Sequence, residues 1–512
     1  MTSGVAESLP DIPSTEEDLG CYSGLYSAHA QVVAPTDVDG LRRSFAYARE
    51  SGRRVTLRAG AHSFDGQALG DDLVVSMIHF DEVELLADNR VRVGAGATWG
   101  AILAELEPLG LVPAVTVTTE HATAGGTLSG DCLSRFSPAY GKEGTWVEGF
   151  ELLTTEGELL HCAAPSKGSD PSTWTREERA YCGVIGGLGY LGAVVSITYR
   201  VLDAGEPRGK IGVRTVVRKF DTFRDLSADL VPEVTRTYLE ASDPRDPGRL
   251  DSIWSALDTR GAGAQSALLF TSTFAATPER RRMALHRPRL AVRVIVEWLM
   301  RVRFISRLAW RFYFRFLFKD GDEYVDDLDG FTFFMDGNAR AKRIAKRFGF
   351  KMQNAQQTFV VPSNPDTKEG MDRAEDRLLR WLVYAHELLA ERDLTPTLND
   401  VLFLPRDLPF PLSATADRPG FAVSYAFETS NAATLERVKG AFSELTDALW
   451  KEFGGRVYLV KNVFASRKTL AEMYGDHAVA FFRLKSELDP SETLRDPFLE
   501  RAFGDLLDPG GD

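Results

Sequence analysis

The short apolar run Val55-Thr56-Leu57 ends abruptly in Arg58-Ala59-Gly60-Ala61-His62-Ser63-Phe64-Asp65-Gly66, and no other junction constrains the chain as much. It requires a strand that opens directly into a loop of small residues. Gly60 and Gly66 let backbone N–H groups approach an anion closely, Arg58 adds positive charge, and His62 presents a ring nitrogen to whatever sits there. A lone histidine is ordinarily an unremarkable loop residue; this setting makes His62 a binding candidate.

Two further glycine patterns invite a dinucleotide-fold reading, and both fail it. Gly187-Leu188-Gly189-Tyr190-Leu191-Gly192 has G-x-G-x-x-G spacing but leads into the strand-like run Ala193 to Thr198, where a helix N-terminus is needed to face phosphate. Gly94-Ala95-Gly96-Ala97-Thr98-Trp99-Gly100 does join strand to helix, yet Trp99 stands where the third glycine belongs. A Rossmann-type nicotinamide domain is therefore not expected.

Strands alternate with helices from about Val32: a helix capped by Ala34-Pro35-Thr36 and running to Arg49, a strand over Arg53 to Arg58, then Arg90 to Gly94 followed by a helix from Trp99 to Leu109. Further strands are expected at 147–153, 158–162 and 193–201. Longer elements follow, with strands at 211–217, 267–274, 358–361 and 421–427 and a helix at 371–391. The pattern predicts an α+β fold in four parts: a flexible tail at 1–20, a first domain at 21–205, a substrate or cap domain at 206–455, and a returning segment at 456–512. A chain of 512 residues, 44% of them hydrophobic, has room for two or three such units. Its net charge of −13 argues against general nucleic-acid binding. Cys21, Cys132, Cys162 and Cys182 lack metal or disulfide spacing, no metal-ligand cluster is visible, and a start without a basic or apolar leader predicts a cytoplasmic location.

The His62 loop resembles the pyrophosphate loop of the vanillyl alcohol oxidase superfamily, whose berberine-bridge-like members carry an Arg-x-Gly-x-His-Ser-Phe/Tyr run with the histidine joined to FAD. Other stations match in order: Gly94 to Trp99, Thr123-Ala124-Gly125-Gly126-Thr127-Leu128-Ser129-Gly130, Tyr140-Gly141, and Gly186 to Gly192. The resemblance implies a two-part FAD-binding domain of the PCMH type. It makes Arg58, Gly60, Ala61, His62, Ser63, Phe64, Gly66, Gly96, Thr98, Thr123, Gly125, Gly126, Ser129, Gly130, Gly187, Gly189 and Gly192 cofactor-binding candidates.

Later segments are similar to decaprenylphosphoryl-ribose oxidases and to 24-dehydrocholesterol-type reductases. Gln357 to Pro362 and Gly454 to Lys461 resemble the former, the second carrying their active-site lysine; Phe482, Lys485, Asp489-Pro490 and Arg495 to Phe498 resemble the segment that closes the flavin domain. Ser134 to Gly141 is closer to the reductases. Departures are also informative. Leu133 replaces a histidine of many oxidases, Thr119 stands where a second, cysteine flavin attachment would fall, and Ser424 replaces a cysteine of the ribose-oxidase pocket.

The resemblance implies attachment of FAD through His62, with noncovalent contact as the alternative. Lys461 becomes a catalytic candidate, able to bind substrate oxygen, stabilise charge on the reduced ring or accept a hydroxyl proton; without the resemblance it reads as a solvated lysine. Tyr140 is a second catalytic candidate, Arg135 a weaker pocket residue, and Cys132 and Ser424 substrate-pocket candidates. Tyr458 is expected to pack on a strand face opposite Lys461. The expected activity is oxidation of a carbon bearing a hydroxyl, in a sugar, lipid-linked or natural-product alcohol, with oxygen or another electron acceptor. The alternatives are a C=C reductase and a flavin scaffold without net redox change. The arginine-rich apolar stretch 279–319 is expected either as a buried helix pair or as a peripheral membrane contact on the cytoplasmic face.

Overall fold

The computed structural model describes residues 13–205, 210–237, 249–258, 265–276, 314, 317–336, 353–365 and 367–507. Apart from Phe314 and 317–319, the stretch 279–319 lies outside these residues.

The first sheet has the order β1(Ser14–Gly20), β2(Ser27–Val33), β4(Leu73–Ser76), β3(Val55–Arg58). β2, β4 and β3 run parallel and β1 antiparallel to β2. Helix α1(Val38–Glu50) supplies the crossover between β2 and β3 and buries Leu41, Phe45 and Ala48. Its cap is Asp37, one residue beyond the expected Thr36, because the Asp37 carboxylate reaches the Gly40 N–H at 2.6 Å. Residues 14–20, expected as tail, are instead strand β1. Its side chains are almost all exposed, so the charged run Ser14 to Asp18 has no apolar periodicity, and pairing of seven backbone positions with β2 holds it.

The second sheet is antiparallel, in the order β5(Val83–Leu86), β6(Arg90–Gly94), β10(Ala193–Arg200), β8(Val147–Leu153), β9(Leu159–Ala163). A short ribbon pairs β7(Leu111–Val112) with β11(Leu202–Asp203). The Gly187–Gly192 turn leads straight into β10, with Leu188 and Gly189 at φ 57° and 86°, a path closed to a phosphate-binding helix.

The third sheet is antiparallel and has eight strands: β15(Asp322–Asp327), β12(Ile211–Phe220), β14(Ala267–Ala276), β13(Ser252–Leu257), β17(Leu398–Leu404), β18(Gly420–Thr429), β16(Gln353–Pro362) and β19(Arg456–Val457). Helices Lys368–Glu391, Phe223–Thr235 and Ala432–Ala448 bury apolar faces beside it.

The end of the chain returns to the first sheet. Val55 donates its N–H to Thr493 O at 2.7 Å, and Arg495 donates to Val55 O at 3.3 Å. The turn that delivers these residues is built on buried Asp489, which pairs with Lys485 at 2.6 Å and accepts the N–H groups of Thr493 and Leu494. Asp496 accepts the Tyr190 hydroxyl at 2.9 Å, fixing the end of the chain against the Gly187–Gly192 turn. Among the described residues, no helix is long and apolar enough to cross a membrane.

Candidate active site

One cavity of about 1810 Å³, its open mouth included, lies between the loops of the first two sheets and one face of the third.

The loop side is built by close backbone packing. Helix α2(Trp99–Leu106) begins just after the Gly94 turn, and α3(Ala124–Ser129) starts against that turn, with Gly125 donating its N–H to Ala95 O at 2.8 Å. A Cβ at Gly125 would lie 2.6 Å from Ala95 Cβ, so only glycine fits there. Gly60 is held equally close to His121, where a Cβ would fall 2.7 Å from the carbonyl oxygen. The His62 loop then turns through Ala61, at φ 59°. Its histidine ring stacks with Tyr22, centroids 5.2 Å apart, and has His121 at 6.4 Å.

Asp65, wholly buried, fixes the far end of this loop. It pairs with Arg501 at 2.8 Å and accepts from Asn462 Nδ2 and the Val463 N–H, both at 3.1 Å. Gln67 donates to Leu459 O and Lys461 O from the same side. Loop and lysine segment therefore move as one body.

The sheet side follows the period of two in strands. Gln356 and Thr358 on β16, Ser424 on β18, and Leu398, Asp400 and Leu402 on β17 all face the cavity. Thr358, Ser424 and Asp400 are in register as one row across three strands, and the Thr358 and Ser424 hydroxyls are 2.9 Å apart.

Of the residues expected from sequence, Arg58, Gly60, Ala61, His62, Ser63, Phe64, Thr123, Gly125, Gly126, Ser129, Gly130, Gly189, Gly192, Cys132, Arg135, Ser424 and Lys461 line this cavity, as do Thr119 and Leu133. Lys461 is half-buried rather than solvated. Its Nζ lies 4.2 Å from the centre of the Phe64 ring, and burial lowers its pKa against the opposing influence of Cys132 and Asp400. Cys132 is pushed up to about 12 by burial, so it stays a thiol. The Arg135 guanidinium stacks on Trp254 and Phe334, at 4.0 and 3.8 Å from their ring centres.

Other expected residues lie elsewhere. Tyr140 does not reach the cavity: its hydroxyl donates to Asp251, its carbonyl accepts from Trp146, and Arg249 covers its ring. Gly66, Gly96, Thr98 and Gly187 serve packing and turns behind the lining. Thr98 caps α2 through the Ala101 N–H, while a Cβ at Gly96 or Gly187 would strike the Met77 or Gly183 carbonyl at 2.3 or 2.2 Å. Tyr458, by contrast, lines the cavity but is not on a strand face, because β19 ends at Val457; its hydroxyl donates to the carbonyls of Gly130 and Asp131 at 3.2 and 3.1 Å and joins the lysine segment to α3.

Sequence reading missed Asp65, Gln67, Asn462, Tyr22, Gln356 and Asp400. Only the strand alternation 398–402 carried a usable signal for one of them.

The lining suits FAD. Glycine turns leave backbone at the cavity wall, Arg58 supplies positive charge, and Met77, Val117, Leu188 and Val194 supply apolar surface. The buried Ser63 Oγ, in the His62 loop, has no hydrogen-bond partner within the protein. A phosphate oxygen would satisfy it.

Comparison with known proteins agrees. A family model described as an FAD binding domain matches residues 29–163. The chain is 29% identical to cytokinin dehydrogenase 3 of Oryza sativa subsp. japonica over 44% of its length and 42% of the relative's. It is 26% identical to decaprenylphosphoryl-beta-D-ribose oxidase of Mycolicibacterium smegmatis, over 37% of the chain and 40% of the relative. An uncharacterised oxidoreductase of the fasciation locus of Rhodococcoides fascians is 26% identical over 34% and 38%. These matches span about two fifths of each relative's length. Family model, relatives and cavity lead to one conclusion: the chain carries an FAD binding domain over residues 29–163 and is similar to dehydrogenases and oxidases that share it only over part of their length.

Proposed function

We propose that this protein oxidises a carbon bearing a hydroxyl group and holds FAD in a PCMH-type domain through a covalent bond to His62. The reading rests chiefly on one observation: the His62 loop and Lys461 line the same cavity and are tied together through Asp65 and Gln67.

Bound there, FAD supplies the acceptor for the hydride that leaves the substrate carbon. The protein's own part is orientation and proton handling. Stacking with Tyr22 fixes the plane of His62, and the Asp65 clamp fixes the loop that carries it. Lys461, its pKa lowered by burial, is suited to take the proton of the reacting hydroxyl at Nζ. The third sheet forms the substrate side, with Ser424 and Thr358 as neutral hydroxyl partners and Leu133, Leu398 and Leu402 excluding water. The substrate is then a sugar, lipid-linked or natural-product alcohol.

Anaerobic mixing tests this reading. Bleaching of the flavin band by alcohols, with NADPH without effect, is the expected result; rapid bleaching by NADPH alone identifies a reductase instead.

A further inference from the structure

Asp400 is the only carboxylate lining the cavity among the described residues. It sits mid-strand on β17, beside Ser424 in the neighbouring strand, in a wall that also carries Leu398, Leu402, Val460, Gln356 and the hydroxyls of Thr358 and Ser424. Its carboxylate accepts a hydrogen bond from the Ser424 side chain, while Oδ1 is buried and has no hydrogen-bond partner in the protein. A carboxylate oxygen left in that state is destabilising, and a packed strand could have carried an aliphatic residue there instead.

The site has a sign as well as a gap. The Arg135 guanidinium acts on Asp400 electrostatically, so its negative charge is already opposed by a permanent cation whichever form Lys461 takes. A cationic ligand would be repelled by that guanidinium, and an anionic one by the carboxylate. A neutral hydrogen-bond donor meets neither objection. Burial raises the Asp400 pKa, a penalty on the charged form that such a donor would relieve.

We infer that Asp400 is a specificity-determining residue that accepts a hydrogen bond from a second hydroxyl of the substrate, so that the cavity selects neutral diols and polyols with an apolar body over simple alcohols. This deepens the proposed alcohol oxidation and rests on it for the role of the first hydroxyl, which Lys461 serves. Asp400 holds the substrate and takes no part in hydride or proton transfer.

The test compares cis-1,2-cyclohexanediol with its monomethyl ether, which keeps one hydroxyl and loses the second donor. Each is titrated anaerobically into the purified holoenzyme and followed both by perturbation of the flavin band and by calorimetry. The wild type should favour the diol by about tenfold or more, the usual scale for a hydrogen bond to a charged group. Asp400→Ala should erase the preference, Asp400→Asn should retain part of it, and Ser424→Ala should leave most of it. Equal affinity for both probes, binding of neither, or a preference that survives Asp400→Ala would overturn the assignment. The calorimetric signal does not need flavin, so a colourless protein that still prefers the diol through Asp400 would refute the flavin reading alone.

Discussion

Asp65 accepts the backbone N–H of Val463 at 3.1 Å across 398 positions of sequence, and through this bond the loop bearing His62 is fixed to the segment bearing Lys461. Neither residue touches the cavity. The distance between the two functional side chains nevertheless depends on them, together with Asn462 and Arg501 on the same carboxylate.

Asp65→Ala should therefore lower stability by about 1–3 kcal/mol, the usual loss when buried hydrogen-bond donors such as Asn462 Nδ2 and the Val463 N–H are left without their acceptor. Urea unfolding followed by circular dichroism measures this. The variant should also retain less flavin than the wild type; unchanged stability and flavin content would contradict the clamp.

Gly125→Ala places a methyl group 2.6 Å from Ala95 Cβ and 2.9 Å from Ala95 O, contacts that two rigid backbone segments cannot relieve. Flavin content, read from the ratio of visible to ultraviolet absorbance, should fall sharply. Gly168→Ala, in open space though at a positive φ that Gly125 does not have, serves as a comparison and should keep its flavin.

Lys461→Met keeps much of the side-chain volume and removes the amine. Flavin should stay bound, while the rate constant for anaerobic flavin reduction by a substrate alcohol should drop about 100-fold or more, the scale of a lost proton acceptor. A rate within a few-fold of the wild type would remove Lys461 from the chemistry.

Behind α3 a buried carboxyl sets a pH dependence. Glu143 accepts hydrogen bonds from Tyr199 at 2.5 Å and Thr127 at 2.9 Å, yet burial outweighs them and pushes its pKa from 4.5 up to about 8. Between those values the folded state binds more protons than the unfolded state, so this stabilising contribution is complete below about 4.5 and is lost as pH rises through about 8. Asp496, raised to about 7, and Asp131, raised to about 6, act in the same direction. Melting temperatures across this range should decline less steeply in Glu143→Gln than in the wild type; parallel curves would count against it.

Much of the loop side of the site was legible in sequence because its determinants are local. Glycines at Gly60, Gly125 and Gly130 mark positions where chain segments meet, and the strand following Gly192 was visible as an apolar run. What escaped is what depends on long-range pairing. Strand β1 shows no periodicity because backbone pairing and polar contacts to β2, with Leu19 alone buried, hold it, and the role of Asp65 depends on residues almost 400 positions away. Tyr140 carried a family-like sequence context, but Asp251 and Arg249, distant in sequence, hold it outside the cavity. Asp400 looked like one polar residue in an apolar strand; only register with Ser424 places it in the wall.

The most direct measurement is acid precipitation of the purified protein, with the visible spectrum recorded before and the pellet and supernatant compared after. The expected result is a yellow protein whose colour and fluorescence stay in the pellet and are lost from it in His62→Ala. Colour released entirely to the supernatant would contradict the bond to His62, and a colourless protein that takes up no FAD would contradict the account as a whole.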